Sequence, residues 1–253
     1  MSDHAVYLYA VSDLALTAAD GVSALRGVDG STVRIIADAG LVAVVSSVAP
    51  SQYNEESLRQ SLQDPGWLEE TARAHDTVVA SLARTHTIAP VRMATVYRSD
   101  DNVRTLLRER SAVFGAALDR VRGRAEWGVK GFATRRPDAQ PPAVSGAGPG
   151  TAYLMRRRAQ RDQAATTRER SLDAAESVHR RIAGIAVASR RYPPQDPRLT
   201  GHSDEMVLNA AYLVDDARTE ALEREVSRMS CSDLRLELTG PWAPYSFATS
   251  DEA

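Results

Sequence analysis

Residues 151–191 contain no proline, and Pro193, Pro194 and Pro197 close the stretch. Read as one helix at 1.5 Å per residue, it runs for roughly 55 to 60 Å. Its C-terminal half carries Leu172, Ala175, Val178, Ile182, Ile185 and Ala186, an apolar stripe that needs a partner surface. Its N-terminal half has little beyond Leu154 and Met155, so it is expected to project or to pack weakly. That stripe could pack within the chain or pair between chains, and strand patterns flank the helix on both sides.

Glu126–Phe132 alternates well enough for a strand, with Trp127, Val129 and Phe132 as its apolar members. Met206–Val214 is a second strand, residues 216–230 form an amphipathic helix, and Leu234-Arg235-Leu236-Glu237-Leu238 alternates apolar and charged. The order from residue 126 is thus strand, helix, strand, helix, strand. The first half opens on the β-branched and aromatic run Val6–Val11, and residues 14–30 read as a connection with one helical turn. Val33–Ala37 and Leu41–Ser46 read as a hairpin through Asp38-Ala39-Gly40, the second strand apolar enough to be central. A short helix over 56–63 follows. Asp64 and Pro65 then fit a cap and first position for a helix reaching Thr85. Its inner face is predicted as Trp67, Leu68, Ala72, His75, Val78, Val79 and Leu82. Pro90–Tyr97 reads as a strand and Ser99 to Gly123 as one helix.

Between the halves, Pro137–Gly150 is mostly Pro, Gly, Ala and Ser, a linker. Gly146, Gly148 and Gly150 lack the lysine and preceding strand of a phosphate loop. The expectation is an α+β protein of two domains, 1–124 and 125–253, the second holding the linker 137–150 and the helix 151–191.

Composition narrows the function classes. At 253 residues, 43% of them hydrophobic, the chain can bury a core without staples. A net charge of -2 gives no general pull toward nucleic acid or anionic membrane. One cysteine, Cys231, excludes an internal disulfide framework and fits a reducing compartment. Met1–Ala10 lacks the basic and apolar regions of a signal peptide, and no run of ~18 apolar residues occurs. A cytoplasmic location without membrane insertion is expected.

Five histidines are scattered. His75, beside Asp76 and two after Arg73, could be a general base or a buried polar anchor. No Gly-x-Ser-x-Gly turn supplies a nucleophile, and an enzyme would need His75, Asp76, Arg92 and Lys130 to converge. His86 and His179 have no histidine at i+4, and His4 and His202 fall in loops. No catalytic, cofactor-binding or metal residue is assigned.

The long helix pattern is basic. Arg156, Arg157, Arg158, Arg161, Arg168, Arg170, Arg180, Arg181, Arg190 and Arg191 stand against Asp162, Glu169, Asp173 and Glu176, and 10 minus 4 gives +6. Such a row is a solvated face, a docking surface for an acidic protein, or a nucleic-acid contact. The last would want stacking aromatics, and only Tyr153 and Tyr192 are near. Arg156, Arg157, Arg158 and Arg161 are candidate interaction residues. So are Trp242, Tyr245 and Phe247, whose large apolar faces Pro241 and Pro244 hold on a stiff backbone. That segment either locks the C-terminus onto the core or presents a surface.

Five stretches, taken in order, resemble the gas vesicle GvpF/GvpL family. They are the tyrosine-rich first strand; Trp67-Leu68-Glu69-Glu70 with Arg73-Ala74-His75; Pro90-Val91-Arg92; Glu126-Trp127-Gly128-Val129-Lys130; and Thr239-Gly240-Pro241-Trp242-Ala243-Pro244-Tyr245-Ser246-Phe247. Met93, Ala94 and Ala243 depart from the phenylalanine, glycine and proline common in the family. The resemblance implies an N-terminal sheet-and-helix domain and a C-terminal modified ferredoxin-like domain with a long helix. It implies a non-enzymatic, cofactor-free assembly factor of the gas vesicle, a protein-walled, gas-filled compartment. Its implied partners are the shell protein GvpA and other accessory Gvp proteins, and self-association is left open.

Overall fold

The computed structural model describes residues 4–134, 149–195, 204–230 and 234–248. The linker residues 137–148, His202 and Cys231 lie outside them. The described chain forms two compact units, residues 1–126 with 241–253, and residues 127–240.

In the first unit β1 (Ala5–Asp13) is buried almost throughout, because strands flank it on both sides. The sheet order is β2-β3-β1-β4, with β2 at Val33–Asp38, β3 at Leu41–Val48 and β4 at Ile88–Pro90. All of these pairings are antiparallel. The β2–β3 turn places Ala39 and Gly40 at φ 51° and 77°, the left-handed pair that a two-residue hairpin needs. As its apolar run required, β3 is an interior strand.

Helix α1 spans Glu55–Ser61 and α2 spans Pro65–Ala83. Asp64 caps α2 by accepting the Gly66 N–H at 2.9 Å, with Pro65 at the first position. Its inward arc is Thr71, His75, Val78, Val79 and Leu82. Leu68, in the first turn, and Ala72, on the flank, are exposed rather than buried.

Residues 90–97 are not one strand. Pro90 has no N–H to continue a ladder and Ala94 sits at φ 63°. The segment therefore splits into β4 and β5 (Val96–Tyr97), both paired with β1. The helix expected from 99 to 123 is also two. Arg110, at φ -110° and ψ 19°, separates α3 (Asp100–Glu109) from α4 (Ser111–Val121).

The second unit runs β6 (Arg124–Ala133, from residue 127 on), α5 (Pro149–Ala183), β7 (Ala188–Arg191), β8 (Glu205–Asp215), α6 (Thr219–Met229) and β9 (Leu234–Trp242, to residue 240). Its sheet order is β7-β8-β6-β9. The helix expected over 151–191 ends at Ala183. Gly184 is a poor helix residue, and the Val187 N–H instead bonds the Leu213 carbonyl at 2.8 Å, starting the β7–β8 ladder. Helix α5 buries Ser171, Ala175, Val178 and Ile182, while Leu172 stays exposed. The last residues, expected with the second domain, pack with the first unit because Ala243, Pro244, Phe247 and Ala248 are buried there.

Candidate functional site

The first unit has rings at its centre. Strand periodicity puts Tyr7 and Tyr9 on one face of β1, and helical periodicity puts His75 above them from α2. Tyr7 lies 4.8 Å from Tyr9 and 5.7 Å from His75, centroid to centroid. Tyr53 meets Tyr7 edge-on at 5.9 Å, and Tyr245 reaches His75 at 6.1 Å. These are the spacings of interacting aromatic pairs.

Polar atoms are paired among the rings. Tyr7 Oη accepts the Ala94 N–H at 2.9 Å and lies 3.1 Å from His75 Nδ1, the direction of that bond following the tautomer of the ring. Nε2 is buried with no hydrogen-bond partner. Burial therefore pushes the His75 pKa down to about 4, the Val91 backbone offsetting only part of the effect. Burial also raises the tyrosine hydroxyls of Tyr7, Tyr9 and Tyr245. At 3% exposure, and with its pKa pushed down by burial, His75 has the surroundings of a buried polar anchor. Asp76 and Arg92 are exposed in the same unit, and Lys130, in the other, donates to Gln195 Oε1 at 3.2 Å. Among the described residues no three histidine, cysteine or acidic side chains gather as metal ligands, and no helix is long and apolar enough to cross a membrane.

The C-terminal aromatic segment divides. Phe247 is buried, Tyr245 is half-buried against His75, and Trp242 remains 53% exposed. Glu126 holds the segment in place. Its carboxylate accepts the Ser246 N–H at 2.8 Å through Oε2 and the Ser246 hydroxyl at 2.5 Å through Oε1. Sequence reasoning missed this grip across 120 positions, although both residues stood in the quoted motifs. The same two motifs meet again in the second unit. A Cβ on Gly128 would lie 2.7 Å from Thr239 Oγ1, so a larger residue there would have to turn the Thr239 side chain aside.

The arginine row lies on the first turns of α5. Arg157, Arg158 and Arg161 are exposed, and the Arg156 side chain is outside those described. Arg157 donates to Tyr153 Oη at 3.2 Å, one turn earlier. Tyr153, Leu154 and Met155 are exposed beside it, Leu154 by 67%.

The profile of the family described as gas vesicle synthesis protein GvpL/GvpF matches residues 5–249. Gas vesicle protein L of a Streptomyces species is 38% identical over 253 residues, covering 98% of this chain and 94% of its own. Gas vesicle protein F1 of Halobacterium salinarum is 21% identical, covering 73% and 71%. The crystal structure of GvpF from an Anabaena species superposes with a TM-score of 0.66 at 18% identity, covering 98% of both chains. That of GvpF from Microcystis aeruginosa gives 0.65 at 18% identity, covering 98% of this chain and all of its own.

Proposed function

Because the chain belongs to the gas vesicle synthesis protein GvpL/GvpF family, we propose that it serves gas vesicle formation as an assembly factor binding GvpA and other Gvp proteins. The profile match over residues 5–249 carries this reading. A shell subunit with apolar faces and open strand edges needs them covered until it polymerises. A partner for that task must itself expose apolar side chains, and among those the described residues expose, two places stand out for the motif or the charge beside them.

One is Trp242, a side-chain type that dominates interface energetics, exposed in the same segment as the half-buried Tyr245 and the buried Phe247. The other is the start of α5, where Tyr153, Leu154 and Met155 accompany Arg157, Arg158 and Arg161, with Arg156 next in sequence. In this reading the protein acts at the gas vesicle and carries no catalytic group. The neutral, buried state of His75 supports that. The strand and helix order β6-α5-β7-β8-α6-β9, with sheet order β7-β8-β6-β9, supports describing residues 127–240 as a modified ferredoxin-like domain.

Co-expression with tagged GvpA, followed by pull-down and size-exclusion chromatography, tests the binding. A co-eluting complex weakened about tenfold or more by Trp242→Ala is expected of an interface tryptophan. Absence of any complex across a range of salt would sink it.

A further inference from the structure

We infer that α5 carries a self-complementary face, centred on Ala165, on which a second copy of this chain docks antiparallel. The inference builds on α5 as an interaction surface but does not require GvpA. Every described side chain from Tyr153 to Thr166 is exposed. A helical stretch whose described side chains are all exposed to water is marginal by itself, so a partner would help to hold it.

The sequence of charges specifies which partner. From Gly150 to Arg161 there are four arginines and no acid; from Asp162 to Glu176 there are four acids against two arginines. The helix therefore contains its own electrostatic complement, in reverse order.

Helix geometry turns this into residue pairs. At about 100° per residue, positions three, four and seven away from Ala165 share its face. When two copies cross antiparallel at Ala165, residues equally far on either side of it meet. Arg161 then faces Glu169 of the second copy, and Asp162 faces its Arg168, each pair occurring twice. Arg158 faces Leu172, whose exposed side chain takes the arginine's methylene stem. Ala165 faces itself, small enough for the axes to approach. A parallel pair would instead set Arg161 against Arg161 and Glu169 against Glu169, so the charges choose the orientation as well as the partner.

The face is free to be used. It lies about 110° around the helix from the Ser171, Ala175, Val178 and Ile182 edge that packs on the sheet, so one helix holds both. Arg168 bonds Glu205 within its own chain at 2.9 and 3.3 Å, both through Nε, and its terminal amino groups can take the second copy's Asp162. Single exposed ion pairs are weak, so the association is salt-sensitive and rests on the four pairs acting together.

A cysteine placed on the two-fold axis tests it directly, in a Cys231→Ser background with purified chain. Ala165→Cys should form an intermolecular disulfide under mild oxidation, because its two copies fall within bridging distance. Leu154→Cys should not, since its copies would lie ~33 Å apart, 22 residues at 1.5 Å each. Adding Arg161→Glu should lower the Ala165→Cys cross-linking about tenfold, and adding Glu169→Arg to that should restore it, since the change turns two attractive pairs into two repulsive ones, together worth about that factor. Circular dichroism shows that each variant keeps its helix. Equal cross-linking at 154 and 165, none at 165, or indifference to the charge reversals overturns the proposal. Failure here leaves GvpA binding untouched, and failure of GvpA binding leaves this dimer standing.

Discussion

Replacing Gly27 with alanine probes how tightly the core of the first unit is drawn around Tyr9. A Cβ at residue 27 would sit 2.0 Å from Tyr9 Oη and 2.8 Å from Tyr9 Cζ. Ordinary contact needs more than a further ångström, so the ring must move. It is not free to move: Tyr9 is fully buried, its Oη accepts the Val28 N–H at 2.9 Å, and it pairs with Ser46 Oγ at 2.8 Å. Displacement costs about 1–3 kcal/mol as overpacking and strands at least one buried polar group for about another 1–3 kcal/mol. We expect Gly27→Ala to lose about 2–6 kcal/mol, a large share of the 5–15 kcal/mol typical of a domain. Urea unfolding followed by tryptophan fluorescence reads this as a lower midpoint at unchanged slope. Tyr9→Phe removes the nearest clashing atom but leaves Cζ in place, so the double variant should be less destabilised than the sum by about 1–2 kcal/mol. A Gly27→Ala protein within ~0.5 kcal/mol of the parent, or strict additivity in the cycle, refutes the reasoning.

His75 should make the first unit acid-sensitive. Its folded pKa, about 4, lies below the unfolded value near 6.5. The unfolded chain therefore takes the proton first, and stability falls as pH drops from 6.5 to 4, by about 3 kcal/mol in all. His179, also lowered by burial, adds in the same direction, so the measure is the difference between parent and His75→Gln, whose profile should be flatter in that window. An identical profile for the variant would count against the assignment. Ala94 at φ 63° bears a left-handed cost of about 1–2 kcal/mol, which glycine avoids at about 0.5–1 kcal/mol of chain entropy. Ala94→Gly should thus raise the urea midpoint slightly, and a clear fall would contradict the strain. Glu126→Ala removes both bonds to Ser246, about 1.5–3 kcal/mol for a charged acceptor. Limited proteolysis should then cut around Trp242–Phe247 faster than in the parent, with equal rates speaking against the clamp.

Signals carried by neighbouring residues were legible. The Asp64-Pro65 start of α2, the Asp38-Ala39-Gly40 hairpin and the apolar run of β3 all depend on local chemistry, and each element is where that chemistry puts it. What failed depends on contacts far along the chain. Residues 188–191 carry helix-compatible side chains, and it is the β8 partner that makes them a strand. The break at Ala94 is supported by Tyr7, 87 positions away. Leu68 and Leu172 have the right period for burial, yet periodicity gives a face without saying how far the neighbouring layer extends along it. Among the candidate contact residues, type alone could not separate the exposed Trp242 from the buried Phe247.

Several of the motifs that identify the family are paired with one another inside the chain. Glu126 and Ser246 belong to two of them and are hydrogen-bonded to each other. Gly128 and Thr239, from the same two motifs, are in close contact. His75 and the tyrosines of β1 form a third such pairing, with Tyr245 stacked beside it. Residues that satisfy one another inside the protein have little left to offer a partner, so these motifs record how the chain closes on itself. Among the described side chains that the fold leaves exposed are Leu14, Leu62, Val113 and Val187 as well as Trp242 and the turns of α5 from Tyr153 onward, and the proposed partner contact draws on the last two. Substitutions in the first group should cost stability before they cost binding, and those in the second should cost binding while the unfolding midpoint stays put. That separation is the physical distinction between a residue that builds the fold and one that meets another protein.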